Sequence, residues 1–373
     1  MSVEHAKPDV AVVGGGPIGL ASAWRAAQRG LSVCVLDAGE PGAWQVAAGM
    51  LAPVAEAQFG EDALLELSLR AAAGFPEFCA ELAEASGRDP GLHATGTLVV
   101  ARDRDEAEAL DRLLAFRRRL GLTVERLLPS AARRADPALA PTVRLALDIA
   151  GDHSVDPRRL VPALAEAVRR AGGSLRARAR VTGLMTAGER VTGVRLADGS
   201  TIAAGAVLVA AGAHAGRFGS VPVRPVKGQV VRLRDPDGPG LIERTIRTQD
   251  AYIVPRADGR FVVGATTEER GFDTAPTAGG VFELLRDVSE VVPGVLELEV
   301  EELIAGLRPA TPDNLPAIGR GEPDGLFWAT GHYRNGILLA GVTGELAAAA
   351  MCGERLPNWA APADPLRFAG VPA

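Results

Sequence analysis

The sequence predicts an α/β protein: a doubly wound, Rossmann-like dinucleotide-binding domain with a smaller β-rich domain inserted in its chain. Three observations carry this. A strand, a glycine-rich turn, a helix and a second strand follow one another within the first 37 residues. Buried-strand runs return at Val207-Leu208-Val209-Ala210-Ala211-Gly212, which ends in small residues, and at Phe327-Trp328-Ala329-Thr330. Between these two runs lies a β-rich block, 226–267, with a hairpin signal. At 373 residues the chain is long enough for two domains of the usual ~100–200 residues. The expected division assigns 1–90, 145–220 and 310–363 to the dinucleotide unit, and 91–144 with 221–309 to the other.

Asp9-Val10-Ala11-Val12-Val13 is almost wholly apolar, as a strand buried on both faces of a parallel sheet must be. Gly14-Gly15-Gly16-Pro17-Ile18-Gly19 follows at once, a GxGxxG turn at Gly14, Gly16 and Gly19. The first glycine permits the tight turn, the second lets backbone approach a pyrophosphate, and the third lets helix and strand pack closely. A helical stretch, 20–29, ends at Gly30, and the helix start offers free N–H groups to the anion. The strand 32–36 closes with Asp37, 18 residues beyond Gly19, where a carboxylate can accept from ribose hydroxyls. That order separates a dinucleotide site from a chance glycine turn, but it does not separate FAD from NAD.

Further along, apolar residues at Leu64, Leu67, Ala71, Phe75, Phe78 and Leu82 predict a long helix over Asp62–Ser86. A strand over Thr97–Ala101 precedes a charged amphipathic helix over 103–119, whose Arg117-Arg118-Arg119 run reads as a solvated face. Asp156-Pro157 opens a helix in the N-cap, N1 manner that runs to Arg170 and is ended by Gly172-Gly173. Short strands fill 174–208, with turns at Ala187-Gly188-Glu189 and Asp198-Gly199. In the block 226–267, Asp258-Gly259 marks a hairpin between Tyr252–Pro255 and 261–264. A helix near 280–291 and a strand, turn and helix over 326–351 complete the chain.

Composition narrows the function classes. Net charge is −6, which disfavours a nucleic-acid partner. No apolar run reaches the ~18–20 residues needed to cross a bilayer, and residues 1–9 lack a signal-peptide pattern. Cys34, Cys79 and Cys352 are far apart without CxxC spacing, and the five histidines show no paired ligand spacing. No disulfide framework, no metal site and a cytoplasmic location are the expectation.

Several segments together resemble the glycine oxidase family, among the D-amino acid oxidase-like flavoproteins. They are the glycine turn, Ala47-Ala48-Gly49-Met50-Leu51-Ala52-Pro53, Tyr252-Ile253-Val254-Pro255, Gly306-Leu307-Arg308-Pro309 with Thr311-Pro312-Asp313, and Gly331-His332-Tyr333-Arg334-Asn335-Gly336-Ile337-Leu338 before Thr343-Gly344. The last is the most specific string. The resemblance implies FAD, held at Gly14, Gly16, Pro17, Ile18, Gly19, Asp37 and Ala38, at Ala48, Gly49 and Met50, and at Val181, where backbone meets adenine. It also implies contacts at His332, Tyr333, Asn335, Gly336, Ile337 and Leu338, whose turn would bring N–H groups to the flavin pyrimidine. Contacts at Ala43 and Trp44 are implied too, although the family often carries small hydroxyl residues where this chain has Trp44 and Gln45. Residues 41–53 hold no His and 308–335 no Cys, so the FAD is expected to be non-covalent.

By the same resemblance Arg308 clamps a substrate carboxylate with its planar fork, and Arg334 and Tyr252 assist. His332 lies beside the flavin and is not a base. The implied reaction is oxidation of glycine or a similar small amino acid to the imine and 2-oxo acid, with O2 as acceptor and peroxide as product. In the family this supplies the thiazole of thiamine. A D-amino acid or sarcosine oxidase, a quinone-linked dehydrogenase, an NAD(P)-dependent reductase and a non-catalytic or RNA-modification-associated flavin subunit stay open, as does a homo-oligomer.

Overall fold

The computed structural model describes residues 7–238 and 240–370; residues 1–6, the start of the segment read above for a signal peptide, lie outside it. A six-stranded sheet runs in the order Ala317–Arg320, Leu326–Thr330, Ala206–Val209, Val10–Val13, Val33–Leu36, Ser174–Arg176. Every pairing is parallel except the one to the edge strand Ala317–Arg320. The sheet's inner strands are buried on both faces, which is why they read as nearly unbroken apolar runs. Val10, Val12, Val33 and Val35 point to a layer containing the helices Pro17–Gln28, Asp62–Ser86, Pro157–Arg170 and Ala340–Met351. The alternate residues Ala11, Val13, Cys34 and Leu36 meet a three-stranded meander, Val181–Ala187, Arg190–Leu196 and Thr201–Ala203.

A second, eight-stranded sheet runs from the edge strand Glu299–Ala310 through Arg224–Arg234, Arg260–Gly264, Tyr252–Pro255, Thr245–Arg247, Thr97–Ala101 and Leu145–Ile149 to Glu125–Leu127. Its pairings are antiparallel except that between Thr97–Ala101 and Thr245–Arg247. Alternation with period two sorts its residues. Val231, Ile253 and Val263 join Leu284 and Val288 of the helix Ala278–Ser289 in one core. Val230, Val254 and Val262 face the other way and pack against Val46 and Ala48. The two sheets therefore meet across the loop that follows Val33–Leu36.

Two sequence expectations differ from the structure. Leu145–Ile149, placed with the dinucleotide unit, is hydrogen-bonded between Thr97–Ala101 and Glu125–Leu127 in the eight-stranded sheet. The Arg117-Arg118-Arg119 run is only partly solvated. Arg117 follows Leu110 and Leu114 on the inner stripe of its helix and is 1% exposed, with its Nη2 donating to the Ala55 carbonyl at 2.6 Å. Helical spacing, not residue type, decides which arginine turns inward.

Candidate active site

The first strand delivers the chain to Gly14, whose φ of +113° and whose contact with the Ala210 carbonyl leave no room for a side chain. The helix Pro17–Gln28 then begins with no side chain capping it. Its N-terminus faces a cavity of about 890 Å³, within the usual range for cofactor sites. A Cβ built on Gly16 would meet nothing nearer than Trp44 Cδ1 at 3.9 Å, so the space beside that backbone belongs to the cavity. Asp37 leaves the next strand at the same end. Its carboxylate accepts from the N–H of Gly15 at 2.9 Å and of Gly39 at 2.8 Å, and it borders the cavity beside Ala38 and Val181. An uncapped helix start, a glycine without neighbours and a carboxylate at the strand ends fit the pyrophosphate and ribose of a dinucleotide.

From there the cavity passes Ala43, Trp44, Ala48, Gly49 and Met50 on one side, and His332, Tyr333, Gly336 and Ile337 on the other. Arginines from elsewhere hold the first of these loops by its carbonyls. Arg158 and Arg232 both donate to Gln45 O at 2.9 Å, and Arg256, 7% exposed, donates to Ala48 O at 2.5 Å. His332 is buried, with Nε2 2.9 Å from Thr343 Oγ1, and burial pushes its pKa down to about 3. It is a neutral imidazole at working pH.

The far end of the cavity is one face of the eight-stranded sheet. Ile304, Val230, Gly264, Tyr252 and Arg247 stand in register across five adjacent strands. Their side chains leave the sheet on a common side. Two glycines give the long side chains a floor: a Cβ on Gly264 would come within 2.6 Å of the Tyr252 hydroxyl, and one on Gly228 within 2.5 Å of the Arg308 guanidinium. Arg308 Nη1 donates to Thr266 O at 3.0 Å, which orients the fork. Burial raises the pKa of Tyr252 while the Arg308 charge opposes that rise, so the phenol is a neutral donor. Arg334 lines the cavity from an exposed position, 5.0 Å from the Tyr333 ring centroid.

Tyr252, Arg308 and Arg334, and all but three of the expected cofactor contacts, line this one cavity. Gly19, Asn335 and Leu338 do not. A side chain on Gly19 would run into the Gly14 carbonyl, so this glycine serves close helix packing. The Asn335 N–H is already spent on His332 O at 2.8 Å, and Leu338 is 2% exposed in the core. Arg247 and Glu56 also line the cavity, joined at 2.5 Å, and were not foreseen. Arg247 becomes visible only through its register opposite Tyr252, which no local pattern reveals.

Comparison with known proteins agrees with the fold and with an FAD site. The FAD dependent oxidoreductase (DAO) family model matches residues 9–350. The glycine oxidase of Geobacillus kaustophilus is 38% identical over 91% of this chain and 92% of its own. Its crystal structure superposes with a TM-score of 0.90, covering 96% of this chain and 98% of that one. A hydrogen cyanide synthase subunit HcnC from Pseudomonas aeruginosa is 31% identical over 98% of this chain and 97% of its own. A bifunctional protein ThiO/ThiG from Trichormus variabilis is 34% identical over 91% of this chain, which spans 52% of that longer protein.

Proposed function

The chain belongs to the FAD-dependent oxidoreductase family and is an FAD-dependent amine oxidoreductase acting on amino acids, and we propose that its reaction is the oxidative deamination of glycine, with O2 reduced to hydrogen peroxide. The observation that carries the reading is Arg308, oriented by the Thr266 carbonyl beside the Tyr252 hydroxyl, on the sheet face at the end of the FAD cavity. Arg308 takes the substrate carboxylate through its fork, and Tyr252 donates to the same group. Arg334 closes the mouth. Bound FAD supplies the acceptor for the hydride that leaves Cα.

Fixing the carboxylate orients the Cα–H bond, and such fixing can account for much of a barrier reduction. The amine reacts in its neutral form. No acid or base side chain is needed, which accords with a His332 that stays neutral. The FAD is held non-covalently, and similarity to the ThiO/ThiG protein supports delivery of the imine to thiazole synthesis for thiamine.

Three measurements test this. Acid precipitation should release the yellow chromophore into the supernatant. Glycine should bleach the holoprotein without oxygen, and air should restore the colour with peroxide formed. A holoprotein that glycine leaves yellow refutes the reading. The similarity to HcnC favours a second reading, in which cyanide rather than a 2-oxo acid is the product. Cyanide trapped from the glycine reaction would favour it.

A further inference from the structure

Holding one carboxylate uses Arg308 but leaves a second guanidinium of the same cavity without a task. Arg247 Nη1 donates to Glu56 Oε1 at 2.5 Å, and this is the side chain's one hydrogen bond among the described residues. Its Nε and Nη2 are left for the cavity that it lines. Arg247 stands directly opposite Tyr252 in its strand pair, so both side chains leave the same face. Arg308 reaches that face from the other side, its guanidinium lying over Gly228. Tyr252 is thus flanked by a guanidinium on each side. Among the charged groups acting on its hydroxyl, Arg308, Arg247 and Arg256 outnumber Glu56. Arg117 is buried with Nε and Nη1 unpartnered, and its charge acts on Arg247 and is offset in part by Asp152. Glycine, with a single carboxylate on Arg308, leaves the remaining donors of Arg247 unused.

We propose that Arg247, oriented by Glu56, recognises a second carboxylate, so that the site accepts amines bearing one carboxylate on the reacting carbon and another on the side chain or the amine substituent. This rests on the amine-oxidation reading. A partly desolvated guanidinium with two free donors suits a planar carboxylate better than a hydroxyl or an amide. Glu56 fixes the fork through one nitrogen and leaves the others aimed at the ligand. The reacting bond is unchanged: Cα–H is still broken beside the carboxylate on Arg308.

The test uses the holoenzyme and non-reacting acids, with binding read from the shift of FAD absorbance. Acetate is compared with malonate, succinate, glutarate and adipate, a series that also reads the distance between the two guanidinium groups. At least one diacid should bind roughly tenfold tighter than acetate. Arg247→Gln should remove that excess and Arg247→Lys should keep part of it. In turnover, the ratio of kcat/KM for iminodiacetate or D-aspartate to that for glycine should fall roughly tenfold in Arg247→Gln. Diacids that bind no tighter than acetate to the unmodified protein overturn the inference without needing any variant. So does an excess that survives Arg247→Gln. If glycine reduces the flavin while these results fail, the inference alone is lost. If no amine reduces it, the amine-oxidation reading falls and the inference falls with it.

Discussion

At the scale of single residues the site depends on where donors are left over. Arg308 spends one nitrogen on backbone carbonyls, Thr266 O at 3.0 Å and Lys227 O at 3.4 Å, and keeps the rest of its fork. Charge-assisted hydrogen bonds to a carboxylate contribute roughly 1.5–3 kcal/mol each. Arg308→Ala should therefore lower kcat/KM for glycine at least about tenfold to a hundredfold, with FAD content normal. Arg308→Lys should recover only part, because the ammonium lacks the planar fork. Amines without a carboxylate should be poor substrates and lose little in the variant. Equal loss for glycine and such an amine would make Arg308 a structural residue. Residue chemistry had suggested this arginine only through the surrounding Gly306-Leu307-Arg308-Pro309 string, and burial and partners now give it an orientation.

At the scale of elements, the first strand, turn and helix combine two kinds of glycine that the motif alone does not tell apart. Gly14 has a positive φ and touches the Ala210 carbonyl, and a side chain at Gly19 would strike Gly14. Substitution at either attacks the fold itself. The space beside Gly16 opens into the cavity, its nearest neighbour 3.9 Å away. Gly16→Val should thus give a folded protein with native-like far-UV circular dichroism that purifies without FAD, whereas Gly14→Val should fail to accumulate as folded protein. A yellow Gly16→Val holoprotein of normal FAD content would move the pyrophosphate elsewhere. The helix Arg104–Arg119 carries the matching lesson for charge. Its N-cap is in the sequence, with Asp103 accepting from the Glu106 N–H, yet the inward turn of Arg117 depends on what packs against it.

At the scale of the whole molecule, the segment that follows Met50–Leu51 is fastened to the eight-stranded sheet by Asp152. Its carboxylate accepts from the N–H of Val54 at 3.2 Å and of Ala55 at 2.6 Å, and its carbonyl accepts from Thr97 Oγ1 at 2.9 Å. Burial, opposed by those backbone hydrogen bonds and by Arg117, raises its pKa from 3.8 to about 7. The folded protein then holds a proton that the unfolded chain releases near pH 4. Stability is lost as pH rises from about 4 to 7, by on the order of 4 kcal/mol, and is constant with respect to this group above that. Asp152→Asn never ionises, although it offers one acceptor to two N–H groups. The Tm of Asp152→Asn minus that of the unmodified protein should therefore climb between pH 4 and 7.5. A flat difference across that range would show that Asp152 does not titrate there.

The sequence by itself determined the strand, glycine turn and helix of the dinucleotide unit, and it pointed to Tyr252, Arg308 and Arg334 as candidates that the structure brings to one cavity. Buried parallel strands are continuous apolar runs, the glycine turn is local, and the long helix Asp62–Ser86 repeats its apolar stripe without help from elsewhere. Such signals survive because one element's own period encodes them. Tertiary structure decided what depends on register and contact between distant segments. Leu145–Ile149 pairs in the eight-stranded sheet with Thr97–Ala101 and Glu125–Leu127, segments distant along the chain that no local pattern ties to it. The hairpin signal foretold the strands flanking Asp258-Gly259, but not that Arg247 would stand opposite Tyr252 and over the same cavity as Arg308. A one-residue slip would turn Arg247 to the opposite face, and only pairing across strands settles that choice.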